Sequence, residues 1–221
     1  MPFVTVPSSL SYTGELGRKA LHFLALLIPL GMWCLGMPLA LYVTGAAALI
    51  AVAADAIRAY SAPFNRLIQW VFGPLMRQDE LPETGAGIRL NGATCVLVGA
   101  ALMALLFPLR VAVPILVMTM IADAAAALIG RRLGRHPWGS LPATVEGTLA
   151  FVVTGLAIMV WFPSVAYGPA AAGVVVGAVV ELLPLPLNDN IRVPVAAALV
   201  VLSAEALFFG KPFSLLAGVT G

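Results

Sequence analysis

Four carboxylates stand where an apolar chain has little reason to put them: Asp123, Glu146, Glu181 and Asp189. Asp123 lies inside the run MTMIADAAAALIGRRLG, about 12 Å along a helix (roughly 8 residues at 1.5 Å each) from Arg131. A carboxylate near the middle of a spanning helix costs on the order of 2.5–3.5 kcal/mol by insertion scales, so it faces a polar cavity or a partner. Glu146 and Glu181 lie nearer the ends of their apolar runs, where a plain structural role weighs more. Asn188, Asp189 and Asn190 gather amide and carboxylate oxygens just before Arg192 and Pro194. Such oxygens suit Mg²⁺, a hard ion held by few protein oxygens plus substrate phosphates. An Asx cap on the last helix is the competing reading of Asn188 or Asp189.

The cations have their own spacing. Glu15, Arg18, Lys19 and His22 follow an i, i+3, i+4, i+7 pattern that aligns all four on one helical face. Turned inward, that stripe presents two cations to a phosphate, with His22 one turn deeper as a supporting donor. Turned outward, it is a salt-bridged helix start with a snorkelling lysine. Ala126, Gly130 and Gly134 form a small-xxx-small ridge, which alone signals only close helix packing. With Arg131, Arg132 and Arg135 and a Gly/Pro-bearing loop behind it, the ridge becomes a candidate anion cradle. Loop amides and the helix start near Glu146 would add donors. Acids and cations gathered on one face fit phosphoryl transfer, which needs metal-held phosphates and a carboxylate to accept a hydroxyl proton.

The elements that must position these groups follow from composition. Of 221 residues, 61% are hydrophobic and 10% charged, and the mean hydropathy is +1.02. Soluble domains carry roughly 25% charged residues, which excludes a water-soluble fold. A net charge of +2 is too small to indicate nucleic acid as a partner. Cys34 and Cys95 sit inside apolar runs and read as small core residues. No cleavable signal peptide stands out, and Met1 to Ser11 reads as a short tail.

Seven stretches are long and apolar enough to span a bilayer: 18–36, 38–57, 90–108, 111–131, 146–163, 168–186 and 191–209. Prolines 29, 114, 184 and 194 are tolerable in a bundle. Pro63 to Met76 alternates apolar Phe64, Leu67, Ile68, Val71, Phe72 and Leu75 with Asn65, Arg66 and Gln69. That pattern reads as a helix lying in the interface, with a re-entrant half-span as the alternative. The expected architecture is an all-α polytopic membrane helix bundle, one domain over 1–221. Ten Lys and Arg fall near span ends on one side, and two, Arg110 and Lys211, on the other. This places the N-terminus in the cytoplasm. The acids were no part of that count, yet nine of ten follow it, Glu205 being the exception.

Five blocks then resemble the family of dolichol kinases, phytol kinases and CTP-dependent diacylglycerol kinases, distant relatives of the phosphatidate cytidylyltransferases. They are Glu15-Leu-Gly-Arg-Lys-Ala-Leu-His22, Leu90-Asn-Gly-Ala-Thr94, the run from Asp123 to Gly134, Thr144-Val-Glu-Gly-Thr148, and Glu181 through Pro194. They occur in the family's order across nearly the whole chain. The resemblance implies an integral membrane enzyme that uses CTP and Mg²⁺, or another divalent cation, to phosphorylate a long-chain lipid alcohol. It implies Asp123, Glu146 and Asp189 as essential acids, with Asp123 or Asp189 on the metal. Arg18, Lys19, Gly130, Arg131, Arg132, Arg135, Thr144 and Asn190 would lie around the nucleotide, with Glu15, His22, Asn91 and Glu181 in support. Short loops and the absence of a long soluble domain point to a bacterial-type plasma membrane, and the charge count puts the site on its cytoplasmic face. The family has a lysine before the Thr/Ser-x-Glu-Gly block, where this chain has Ala143. The His-Gly-Gly and Asp-Arg elements of the cytidylyltransferases are absent, which favours a kinase. A non-catalytic transporter is the reading from another class, and the nearly charge-free outer halves of the helices argue against it.

Overall fold

In hydrocarbon every backbone amide and carbonyl must be satisfied internally, and a helix does this within a single segment. The computed structural model describes residues 23–73, 84–85, 87–141 and 143–216, and these form helices joined by loops and turns. The helices are α1 (Leu27–Leu35), α2 (Leu39–Tyr60), α3 (Ala62–Phe72), α4 (Gly92–Leu106), α5 (Leu109–Leu133), α6 (Val145–Met159), α7 (Tyr167–Leu182) and α8 (Asp189–Phe209). Among the described residues there is no strand, only an isolated bridge between Pro137 and Thr144.

Each expected span contains one of these helices, α1 covering the second half of the first. Three of them, α2, α5 and α8, are long and apolar enough to cross a membrane. The apolar helices α4, α6 and α7 have 15, 15 and 16 residues, below the roughly 20 a full perpendicular crossing takes. Prolines explain part of the shortening. The expected span 168–186 stops at Leu182, because Pro184 and Pro186 cannot continue a helix.

α5 is the central post. Met118, Ile115 and Leu116 are buried on it, against Phe151 of α6, Leu202 of α8 and Met32 of α1. It packs most extensively on α6, while α7 pairs with α8 and α2 with α4. The outer surface is apolar, with Leu49, Ile50, Trp70 and Trp161 all more than two-thirds exposed. So much exposed apolar surface is a liability in water and ordinary against lipid. The stretch read as an interfacial helix does form one, α3, and it buries polar Asn65 while exposing Leu67, Trp70, Val71 and Phe72. A helix that hides its amide and shows its aromatics suits an apolar surrounding.

Among the described residues, three helix starts are capped by side chains, and each cap lies in a motif block. Asn91 accepts from the amide of Thr94 at 2.9 Å, Thr144 from Gly147 at 3.2 Å, and Asn188 from Asn190 at 3.0 Å. The cap fixes where the first turn begins, and so where the residues just after it point.

Candidate functional site

Five helices meet at one small cavity of about 20 Å³, roughly the room one water takes. α5 contributes Leu116, Thr119, Met120 and Asp123, on one face by their i, i+3, i+4, i+7 spacing. Glu181 comes from the last turn of α7, Asp189 and Asn190 from the first turn of α8. Val96, Phe151, Val193 and Pro194 close the apolar side. Residues 66 positions apart in sequence, Asp123 and Asp189, thus share a wall of one cavity. Glu181 is close enough to feel the charges of both.

The start of α8 reaches this place because α4 leaves room for it. A Cβ on Gly99 would collide with the backbone carbonyl of Asn190, so only glycine lets the two helices approach so closely there. Arg192, one turn into α8, ties Asp189 to the end of α7. Its Nε donates to Asp189 Oδ1 at 2.7 Å, its Nη2 donates to the same oxygen, and its Nη1 donates to the Leu183 carbonyl at 2.5 Å.

Glu146 is not among the residues lining the cavity. It sits at the start of α6, facing the loop that returns from α5. His136 binds it twice, with its backbone amide at 3.3 Å from Oε2 and its ring Nδ1 2.6 Å from Oε1. The loop is a closed hairpin. Trp138 donates its amide to the Ala143 carbonyl at 3.0 Å, Val145 donates to His136 at 2.8 Å, and the Trp138 ring N–H donates to Thr148 at 3.0 Å. Below it, α5 and α6 touch through small residues. A Cβ on Gly134 would collide with Thr144 and the Gly130 carbonyl, and one on Gly147 would crowd the Ala126 carbonyl and Gly130. Arg131, Arg132 and Arg135 are exposed around this hairpin, so the basic cradle is an open surface, whereas Asp123 and Glu181 are half-buried and Asp189, on the same cavity wall, is exposed.

Asn91 takes a role its sequence context did not disclose. Its amide N–H and side-chain NH₂ both donate to the carboxylate of Asp55, at 2.9 and 3.0 Å. Arg58 pairs with the same carboxylate at 3.1 Å and donates to the Arg89 carbonyl at 3.0 Å. Asp55 and Arg58 are 3% and 1% exposed. The i, i+3 spacing of opposite charges on a spanning helix was the available signal, and counting both as topology concealed it. Glu15, Arg18, Lys19 and His22 lie outside the described residues.

Among the described residues, no three His, Cys, Asp or Glu side chains stand together as a ready ligand set. The donor chemistry fits a narrower case, an Mg²⁺ that arrives on phosphates and is anchored by one or two carboxylates. Hard oxygens from Asp123, Glu181, Asp189 and Asn190 are the groups within the cavity wall.

No protein-family model matches the chain, and no solved structure matches it. Among curated proteins it is similar to a phytol kinase of Synechocystis, 27% identical over 205 residues that cover 89% of this chain and 82% of the relative. It is also similar to an uncharacterised protein of Rickettsia prowazekii, 26% identical over 198 residues, 84% of this chain and 92% of the relative. The likeness to the phytol kinase spans nearly the whole chain and supports a distant relationship to a lipid-alcohol kinase.

Proposed function

We propose that the chain is a CTP-dependent kinase of membrane lipid alcohols, acting on a polyprenol, a phytol-like prenol or diacylglycerol at the cytoplasmic face of a bacterial plasma membrane. The observation that carries this reading is the convergence of Asp123, Glu181, Asp189 and Asn190 on one cavity within an apolar bundle. A carboxylate inside an apolar bundle, such as Asp123, is costly and calls for a polar partner or a use, and a distant phytol kinase relative supports phosphoryl transfer as that use.

Asp123 and Asp189 would hold the divalent ion, which supplies neutralisation of the phosphate charge as it redistributes. Arg131, Arg132 and Arg135 lie on the exposed side and face the nucleotide, joined by loop amides near Thr144. The lipid hydroxyl gives its proton to a carboxylate of the site as its oxygen bonds to the γ-phosphorus. The bond to the β-phosphate oxygen breaks, and CDP leaves. The apolar walls formed by Phe151, Val96 and Val193 exclude water, which would otherwise compete with the alcohol.

Purified protein in nanodiscs, given CTP or ATP with each lipid alcohol in turn, tests the reading. Formation of a phosphorylated lipid with CTP and divalent metal supports it. No phospholipid product from any of these acceptors with either nucleotide would overturn it.

A further inference from the structure

By charge count Arg192 is one of ten basic residues on one side of the membrane. Its contacts set it apart. The side chain is 10% exposed, whereas the Asp189 carboxylate it binds is 53% exposed. Nε and Nη2 both donate to Asp189 Oδ1, Nη1 to the Leu183 carbonyl at 2.5 Å, and Nη2 also to the Glu181 carbonyl at 3.4 Å. A guanidinium has five N–H donors in a fixed fork and no acceptor. With its three nitrogens committed to one carboxylate oxygen and two carbonyls, this one is held by the protein. Arg131, Arg132 and Arg135, by contrast, are exposed.

Three carboxylates face a cavity of about 20 Å³, and their mutual repulsion needs an opposing charge. The Arg192 guanidinium acts electrostatically on Glu181 as well as bonding Asp189. Among the described residues, Asp189 Oδ2 accepts no hydrogen bond, so one oxygen of this cavity-lining carboxylate is fastened and the other is left open. A cation approaching that open oxygen meets the positive charge already seated on its neighbour.

We propose that Arg192 is the resident counter-charge of the acidic cavity, a positioning residue that holds Asp189 and that a divalent cation must oppose to bind there. The inference rests on the reading of Asp189 as an ion ligand. Holding and opposing come from the same bond. The fork keeps the α8 start against the α7 end while the ion is away, and it raises the ion concentration at which the site fills. Nucleotide phosphates brought with the ion would supply the negative charge that offsets the guanidinium. Filling would therefore favour the ion–nucleotide complex over the bare ion.

The test is Mn²⁺ binding, followed by electron paramagnetic resonance on the full chain in nanodiscs without nucleotide. Arg192→Gln is expected to bind Mn²⁺ roughly three- to tenfold more tightly than wild type, the scale of one charged hydrogen bond at a half-exposed carboxylate. Arg192→Lys keeps the charge but loses the fork, and should fall between the two. Asp189→Asn should bind more weakly than wild type. If Asp189→Asn weakens binding while Arg192→Gln leaves it unchanged or weaker, Arg192 is only a prop for the loop and the inference fails. If Asp189→Asn binds as wild type does, the ion is not at Asp189, and the reading beneath the inference fails with it. Should Arg192→Gln not yield folded protein, Arg192→Lys decides, and an affinity at or below wild type overturns the proposal.

Discussion

At the residue scale, the carboxylates of this chain do two different things, and what they face separates them. Glu205 is fully buried, yet it takes Arg110 at 2.5 Å and Lys211 at 2.6 Å, both about one-third exposed. It also accepts from the Ala166 amide at 3.4 Å, so it fastens the α6–α7 connection and the C-terminal segment to α8. Its two cations can rehydrate if the carboxylate is lost, so Glu205→Ala should cost about 2 kcal/mol, less than breaking a wholly buried pair. That corresponds to a fall of about 5 °C in the melting temperature in detergent, with activity per folded molecule retained. Asp123, Glu181 and Asp189 differ from Glu205 in facing a cavity as well as neighbours. Ala143 is the uncharged neighbour of Thr144, the residue that caps α6. Ala143→Lys adds a cation next to exposed Arg131, Arg132 and Arg135. It should lower the KM for CTP by roughly tenfold with kcat little changed, as expected for one added charged contact. Steady-state kinetics at varied CTP reads this out.

At the element scale, glycines decide how close the helices come, and closeness decides whether the site exists. Gly99→Ala would drive a Cβ into the Asn190 carbonyl and push the start of α8 away from α4. Overpacking of that kind costs about 1–3 kcal/mol, and a small displacement of a positioned group can cost a further tenfold or more in rate. Gly177→Ala is the matched control, because its Cβ would lie at an ordinary 3.6 Å from Phe151 and Val193. Activity and thermal stability of both variants, compared side by side, check the argument. This is also the scale at which the sequence stops being readable. Helix existence was legible, because apolar runs bounded by Pro, Gly and Asn leave few other structures in lipid. The end of α7 at Leu182 comes four residues early, because Pro184, expected to be tolerable within a span as Pro114 and Pro194 are, ends the helix together with Pro186. The motif blocks marked Asp123, Glu181 and Asp189 singly. That these share a cavity while Glu146 turns to His136 depends on helix pairing, which no local pattern encodes. Arg192 and the Asp55–Arg58–Asn91 cluster were hidden for a related reason, since a charge count treats each residue as solvated and alone.

At the scale of the whole molecule, besides the Asp55–Arg58–Asn91 cluster, two sets of polar groups among the described residues lie at different places in the bundle. The acidic cavity and the Arg-bearing hairpin draw on the α5 C-terminal half, the α6 start, the α7 end and the α8 start. The Glu205 cluster draws on the opposite ends of α5 and α8. With Arg110 and Lys211 both paired to Glu205, little unpaired basic charge among the described residues remains at that end to weigh against the other. The expected topology can be read with one added cysteine at a time in a Cys34→Ser background, where the remaining Cys95 is buried: Ser140→Cys on the hairpin and Ser214→Cys beyond α8. A membrane-impermeant maleimide applied to intact cells should label Ser214→Cys and spare Ser140→Cys until the membrane is opened; the reverse pattern would invert the proposed orientation. The central claim, however, is the reaction. CTP labelled on its γ-phosphate, incubated with divalent metal, lipid alcohol and the wild-type protein in nanodiscs, should pass that label to the lipid. Asp123→Asn should reduce the transfer by roughly a hundredfold or more, as expected when an anchor of the ion that neutralises the transition-state charge is removed. Label from the cytidine end retained in the lipid product, or γ-label transfer indifferent to Asp123→Asn, would contradict the account.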